Sequence, residues 1–247
     1  MVPRLDANPR FLIIETGRPV ESLRRRGDFT HWIRTAAALP AAHVDVVPVL
    51  DDADLPDPSG YTGVLVTGSG AMVTDRAPWA ERSADWLRDA VAAGLPTLGI
   101  CYGHQLLAHA LGGTVGWNPQ GREMGTVAVE LHAASSDDPL FRGLPGAFNA
   151  QATHLQSVTS PPAGAVVLAR SALDDCHAFR FGQHAWGLQF HPEFSTRHMR
   201  GYIAARRDAL RSEGQCPDRM LESVRPAPLA RRVLRRFVRH AAGTRHR

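Results

Sequence analysis

The chain has 247 residues, 44% hydrophobic and 21% charged, so it is long and apolar enough to bury a full core in one large domain, or at most two. No stretch approaches the roughly 20 apolar residues of a membrane span, and the composition excludes a disordered chain. All 28 basic residues are arginine, which excludes lysine Schiff-base chemistry and a lysine-bearing phosphate loop, and the net charge of +4 is weak evidence for nucleic-acid binding.

The first half of the chain predicts strands that alternate with helices. The predicted strands cover residues 10–17, 43–50, 61–67 and 97–100, and the predicted helices cover 28–39 and 79–93. Pro48 indicates an edge position for the second strand, because proline donates no ladder hydrogen bond. This alternation predicts a mainly parallel α/β sheet, in which ligands bind beyond the carboxyl ends of the strands.

The second half of the chain predicts added antiparallel β structure and closing helices. We expect antiparallel β structure over Thr114–His132, with an internal turn at Gly121–Gly125. Further strands are expected at 165–171, 177–181 and 184–194, a helix capped by Ser195 through about Leu210, a loop at Cys216–Pro217 and a last helix at Leu229–Ala242. The last helix has an arginine-rich face, which we interpret as a solvated face of a core helix rather than a nucleic-acid arm.

Residues 97–105 (TLGICYGHQ) place a cysteine at a sharp strand-to-helix turn. Gly99 and Gly103 let two backbones approach closely and permit strained dihedral angles. Such an elbow sets the Cys101 sulfur at a helix N-terminus, where the thiolate is favoured and the thiol pKa falls. A buried structural cysteine is the alternative, because free cysteine is among the most buried residue types.

Gly68-Ser69-Gly70 follows the third predicted strand. A glycine-rich turn in this position exposes backbone N–H groups that can bind an anion or an oxyanion, although such turns also simply connect elements. Because this turn and Cys101 both lie at carboxyl ends of parallel strands, we expect them to face the same crevice.

His191 and Glu193 lie in a late predicted strand, where alternate residues point the same way about 6.6 Å apart. Pro192 keeps His191 extended. A carboxylate beside a histidine can fix the imidazole tautomer and stabilise its charged form. Without a nucleophile elsewhere, the pair would be interpreted as a solvated histidine and glutamate at a strand end.

Together these motifs resemble the class I (triad) glutamine amidotransferases, through GICYGHQ at 99–105 and QFHPE at 189–193. The similarity covers about residues 40–195, leaves 196–247 as a C-terminal helical extension of one domain over 1–247, and is nearest to stand-alone proteins similar to the amidotransferase domain of GMP synthase. It implies a flavodoxin-like α/β fold with a mainly parallel central sheet flanked by helices and an added antiparallel section.

The resemblance also implies roles for individual residues. Cys101 would attack the side-chain amide of glutamine, His191 would protonate the departing ammonia, and Glu193 would orient His191. The backbone N–H groups of Ser69 and Tyr102 would hold the oxyanion. Matches to the glutamine pocket are Gly68, Gly70, Gln105, Met124, Gly125, Thr153, His154 and Leu155.

Two segments depart from the family pattern. The usual Gly-Gly-Pro or Asn-Gly-Pro of the oxyanion loop is Gly68-Ser69-Gly70 here, and the Ser-His-x-Asp of GMP-synthase-like domains is Thr153-His154-Leu155-Gln156. The second departure weakens an assignment to GMP synthesis itself.

Three functions stay open at this point: a glutaminase that supplies ammonia to a separate synthetase, a γ-glutamyl hydrolase or peptidase, and a non-catalytic binding module that keeps the fold. About 50 residues follow Glu193, too few for a second catalytic domain, so we expect any ammonia acceptor to be a separate protein. No cofactor is implied. No metal site is expected either, because His104 and His109 are five apart and do not share a helical face.

The sequence also carries signals of cellular location. Cys101, Cys176 and Cys216 are an odd and sparse set, which argues against a disulfide framework and for a reducing cytoplasm. Residues 1–10 lack the apolar segment of a secretory signal. We therefore expect a cytoplasmic protein that binds glutamine, without membrane or nucleic-acid partners.

Overall fold

A computed structural model describes residues 9–51 and 53–244. The prediction for residues 1–10 and the end of the predicted C-terminal extension therefore lie largely or partly outside the described residues. The strands are β1 Phe11–Glu15, β2 Val44–Pro48, β3 Gly63–Val66, β4 Thr97–Ile100, β5 Thr114–Trp117, β6 Glu123–Leu131, β7 Ala147–His154, β8 Gln156–Ser160, β9 Val166–Arg170, β10 Ala178–Phe181 and β11 Ala185–Leu188. The helices are α1 Glu21–Arg24, α2 Phe29–Ala37, α3 Pro78–Ala92, α4 Tyr102–Ala110, α5 Thr196–Ala205, α6 Arg207–Ser212, α7 Pro217–Ser223 and α8 Pro228–Thr244.

Within the described residues, one large sheet has the strand order β2-β1-β3-β4-β11-β10-β9-β6-β7. Neighbours from β2 to β11 are parallel, and neighbours from β11 to β7 are antiparallel. The predicted α/β fold with a parallel core and an added antiparallel section is confirmed. Pro48 ends β2, which is an edge strand as its proline indicates.

Helices cover both faces of the parallel strands, which explains why those strands are continuous apolar runs rather than alternating ones. Residues 11–14 of β1 are fully buried. Ile13 lies in a core cluster with Phe237 of α8, whereas Ile14 lies in a second cluster with Leu106 of α4. The apolar face of α8 closes one layer of the core, as predicted for the last helix.

The antiparallel section differs from the prediction in its pairing. The strands β5 and β6 do not pair with each other among the described residues: β5 pairs with β8 in a small sheet, and β6 pairs with β7 and β9. The predicted turn at 121–125 is wrong because the chain turns earlier, where Gly121 N–H donates to Asn118 O at 2.9 Å and Asn118 Oδ1 accepts from Gln120 N. Alternating sequence patterns specify strands but not their partners.

The C-terminal helices also differ in part. Ser195 caps α5 as predicted, because its side chain accepts from His198 N at 3.3 Å. The predicted single helix breaks at Arg206, between α5 and α6. The predicted loop at residues 216–217 is wrong: Pro217 is the first residue of α7, a position where its missing N–H costs no helical hydrogen bond. The single domain over 1–247 stays a prediction.

In the part of the chain that the structure describes, no helix has both the length and the hydropathy that crossing a membrane requires.

Candidate active site

Cys101 lies at the turn between β4 and α4 with φ 53° and ψ −102°, a conformation that costs about 1–3 kcal/mol for a residue with a side chain. The flanking glycines permit this turn. A Cβ atom on Gly99 would overlap the Gly103 backbone, and one on Gly103 would lie 2.5 Å from the carbonyl oxygen of Val66. The Cys101 N–H also donates to Leu188 O at 2.7 Å, which ties the elbow to the end of β11.

The neighbouring strand β11 brings His191 to Cys101, because β4 and β11 are parallel and end at the same edge. His191 Nδ1 lies 2.7 Å from Glu193 Oε1, and its Nε2 has no hydrogen-bond partner among the described residues. Phe194 stacks on the His191 ring with centroids 4.1 Å apart. Cys101, His191 and Glu193 are 6%, 2% and 2% exposed. The structure therefore brings the three predicted catalytic residues together in a buried site.

The electrostatics of the site favour a thiolate and an imidazolium. Burial by itself lowers the pKa of His191, but the charges of Glu193 and Cys101 outweigh it and raise that pKa to about 10. Burial also raises the pKa of the Cys101 thiol, but the charges of His191 and His154 outweigh that effect and lower the pKa below its usual value. A thiolate formed in this way is a nucleophile near neutral pH.

The predicted oxyanion donors lie beside Cys101, since Ser69 and Tyr102 line the same cleft. Tyr102 is the first residue of α4, where backbone N–H groups have no acceptor within the helix. Gly68 lies against the catalytic pair: a Cβ atom there would lie 3.0 Å from His191 Cε1 and 3.8 Å from Cys101 Cβ. The donor role of Ser69 and Tyr102 stays a prediction.

Two threonines hold the Gly68–Gly70 turn, and no sequence motif identified them. Thr16 N–H donates to Thr67 Oγ1 at 3.0 Å, and Thr16 Oγ1 donates to Thr67 O at 2.9 Å. Thr67 Oγ1 donates to Gly68 O at 3.0 Å. Both side chains are fully buried, so these bonds fix the backbone that leads into the turn.

A cleft opens at Cys101. The other residues that line it are Ser69, Gly70, Ala71, Met72, Tyr102, Gln105, Arg122, Thr153, His154, Leu155, Gln156 and Arg206. The predicted pocket residues Gly70, Gln105, Thr153, His154 and Leu155 are therefore brought together. Met124 instead packs in a hydrophobic cluster with Phe29, Phe194 and Met199, and Gly125 pairs with Ala152 in the sheet.

Gln156, at the position of the family's aspartate, links the cleft to a neighbouring loop. Its Oε1 accepts from Val73 N at 3.1 Å, and its Nε2 donates to Thr74 Oγ1 at 2.6 Å. Gln105 Nε2 donates to the backbone carbonyl of Gln156 at 2.6 Å and to Gln189 Oε1 at 3.0 Å. The departure from the family pattern thus carries hydrogen bonds that shape the cleft wall.

His154 is held as an imidazolium. Its Nδ1 lies 2.9 Å from Gln156 O and its Nε2 lies 2.9 Å from Glu123 Oε2. Both partners are acceptors, so each ring nitrogen carries a proton. Burial lowers the pKa of His154, but the Glu123 carboxylate outweighs it and raises the pKa. This fixed charge is one of the causes that lower the pKa of Cys101.

Glu123 accepts a second hydrogen bond, from His177 Nε2 at 2.8 Å. Although burial raises the pKa of Glu123, the two histidines hold it well below the usual range. Ligand atoms of Glu123, His154 and His177 lie within 4.8 Å of one another, close enough to share a metal ion. The short N–H···O distances fit a hydrogen-bonded cluster, in which two donors already occupy the Glu123 oxygen.

Comparison with known proteins gives the class to which the fold and the site belong. A family model, glutamine amidotransferase class-I, matches residues 26–207, and the chain therefore belongs to this family. The solved structure of a glutamine amidotransferase from Thermotoga maritima superposes with a TM-score of 0.75 at 25% identity, covering 95% of this chain and 98% of that one.

Two relatives have specified activities. A glutamine-hydrolysing GMP synthase from Thermomicrobium roseum is 44% identical over 131 residues, which are 53% of this chain and only 23% of that enzyme. A γ-glutamyl-L-1-hydroxyisopropylamide hydrolase from a Pseudomonas species is 29% identical over 211 residues, which are 83% of this chain and 68% of that enzyme. The chain thus spans a minor part of the synthase and most of the hydrolase.

Proposed function

We propose that this protein hydrolyses the side-chain amide of glutamine to glutamate and ammonia through a thioester on Cys101. The observation that carries the proposal is the buried Cys101–His191–Glu193 group at one end of the cleft, with the pKa of the thiol lowered and that of the imidazole raised. Membership of the amidotransferase family supports the same reaction.

In the first half of the reaction, the Cys101 thiolate attacks the γ-carbonyl carbon and the carbonyl oxygen becomes an oxyanion. The backbone N–H groups of Ser69 and Tyr102 stabilise that oxyanion. The C–N bond then breaks while the His191 imidazolium protonates the nitrogen, which leaves as ammonia. In the second half, neutral His191 takes a proton from water, the resulting hydroxide cleaves the thioester, and glutamate departs with the thiolate restored.

We propose that the ammonia is used by a separate synthetase. The support is the GMP synthase relative, because the matched residues are only 23% of that larger enzyme. Cys101, Cys176 and Cys216 are free thiols, which fits the reducing cytoplasm that we propose as the compartment.

A γ-glutamyl hydrolase is the second candidate, and the Pseudomonas relative favours it. The chemistry at Cys101 is the same, and only the amine that leaves is larger. A non-catalytic binding module is disfavoured, because burying a histidine–carboxylate pair beside a thiol costs desolvation energy and a binding module has no use for this pair.

The test is ammonia and glutamate release from free glutamine, compared with release of the amine from γ-glutamyl dipeptides. We expect slow release from glutamine that rises when an ammonia-consuming synthetase is added. High activity of the isolated protein on γ-glutamyl dipeptides, with poor use of glutamine under all conditions, would replace the proposal by the hydrolase.

Cysteine variants separate the proposed chemistry from a contaminating activity. Cys101→Ala should abolish amide hydrolysis, whereas Cys176→Ala and Cys216→Ala should leave it near normal. Mass spectrometry after exposure to a glutamine-like diazoketone should find the label on Cys101. Activity retained by Cys101→Ala would contradict the assignment of the nucleophile.

A further inference from the structure

Two arginines line the cleft that contains Cys101, and they differ in what holds them. Arg122 donates from Nε and Nη2 to both carboxylate oxygens of Glu213 at 2.8–3.1 Å, and its side chain is only 7% exposed. Its charge is therefore already neutralised by a fixed partner. Arg122 acts as a wall of the cleft.

Arg206 has no such partner. Its Nε atom is buried without a hydrogen bond, and its guanidinium makes no ion pair with any residue in the described ranges 9–51 and 53–244. The nearby Glu213 carboxylate is bound by Arg122, and the carboxylates of Glu123 and Glu193 are bound by histidines. The cleft therefore contains one positive charge that no protein group compensates.

The chain presents Arg206 to the cleft through a break in a helix. Its φ of −109° and ψ of 17° separate α5 from α6. This break lies beyond the segment of about residues 40–195 in which sequence motifs predicted the site. The C-terminal helices thus contribute a charged group to the cleft formed by the parallel strands.

From this arrangement we propose that Arg206 binds the α-carboxylate of the substrate while Cys101 attacks its γ-carbonyl. The inference rests on the proposed function and deepens it by naming the substrate class: γ-amides of glutamate with a free α-carboxylate. Free glutamine and γ-glutamyl conjugates both qualify. Glutamine residues within a peptide chain do not, because their α-carboxyl group is an amide.

The proposal predicts a specific loss of affinity. A charge-assisted hydrogen bond to a carboxylate is lost when Arg206 is removed, and we expect binding of glutamine to weaken about 10- to 100-fold. Binding of L-glutamine α-amide, which has no carboxylate, should not change. The effect on turnover should lie mainly in KM and only slightly in kcat, because Arg206 does not touch the reacting atoms.

The test measures binding by calorimetry in a Cys101→Ala background, so it does not depend on hydrolysis or on a synthetase. L-Glutamine and L-glutamine α-amide are titrated into Cys101→Ala alone and combined with Arg206→Ala, Arg206→Lys or Arg207→Ala. Arg207 is the matched control, since it neighbours Arg206 and instead pairs with Asp218 at 2.8 Å on the surface. Thermal unfolding checks that each variant is folded.

The supporting result is preferred binding of glutamine over its α-amide, lost with Arg206→Ala, partly retained with Arg206→Lys and unchanged with Arg207→Ala. Equal binding of the two ligands to Cys101→Ala, or an unchanged preference in Arg206→Ala, would overturn the inference and leave the glutaminase proposal intact. Binding of neither ligand would contradict both. If Arg206→Ala does not fold, Arg206→Lys decides the outcome on the same measure.

Discussion

Replacing Glu123 by glutamine tests whether a buried charge network supports Cys101. Glu123 is 3% exposed and accepts hydrogen bonds from His154 and His177 at 2.9 and 2.8 Å. Glutamine keeps the shape and one acceptor oxygen but removes the negative charge. Breaking a buried ion pair costs about 3–5 kcal/mol, and one retained hydrogen bond offsets about 1 kcal/mol. We therefore expect Glu123→Gln to lose about 2–4 kcal/mol of unfolding free energy.

The loss should depend on pH in a defined direction. The pKa of Glu123 is lower in the folded state, so its contribution is present above the ordinary carboxyl pKa and disappears only as the pH falls through the lower folded value. The pKa of His154 is higher in the folded state, so its contribution is complete below about pH 6.5 and disappears as the pH rises through the raised folded value. The difference between wild type and variant should therefore be largest at about pH 5–6.5 and smaller in alkali.

Urea unfolding at three pH values, about 5.5, 7.5 and 9, measures this difference directly. Glu130→Gln is the control on the same strand, because Glu130 is exposed and its ion pair with Arg170 should contribute less than about 1 kcal/mol. The alkylation rate of Cys101 near neutral pH should also fall, since His154 loses the charge that lowers the thiol pKa. A penalty that is absent, or equal at all three pH values, would refute the charge network.

The remaining predictions concern the catalytic residues and the elbow. Glu193→Gln should lower kcat less than His191→Ala does, because the base remains in place, and equal loss of folded protein in both variants, seen by circular dichroism, would indicate a structural role instead. The rate of Cys101 alkylation should reach its plateau below the ordinary thiol pKa of about 8.5, and a rate that climbs through that value would contradict a thiolate–imidazolium pair. Gly103→Ala should lower the unfolding free energy by about 1–3 kcal/mol or more, because the new Cβ would lie 2.5 Å from the Val66 carbonyl oxygen, and a melting temperature equal to wild type would refute this packing argument.

The parallel half of the fold and the catalytic elbow follow from local sequence patterns. Buried parallel strands are short apolar runs, and the spacing of Gly99 and Gly103 around Cys101 specifies a tight strand-to-helix turn. The edge rule for parallel sheets then places His191 and Cys101 together without any knowledge of the intervening residues.

The supporting residues could not be derived in this way. Glu123 meets His154 only because β6 and β7 pair in a register that sets these two residues opposite each other. An alternating pattern does not encode that register. Arg206 reaches the cleft only because a helix breaks at that residue, and no glycine or proline there signals a break. The contact between Arg122 and Glu213 joins segments that carry no shared motif.

The central position of β11 also has a consequence for how the reactive thiol arises during folding. β4 ends just before Cys101, but its parallel neighbour β11 follows the whole antiparallel section in sequence, so this pairing is a long-range contact that forms late in chain growth. Until β11 docks, His191 is absent and the pKa of the thiol has no imidazolium to lower it. The nascent chain therefore carries an ordinary cysteine, and the strong nucleophile is created only by the step that completes the sheet and buries it.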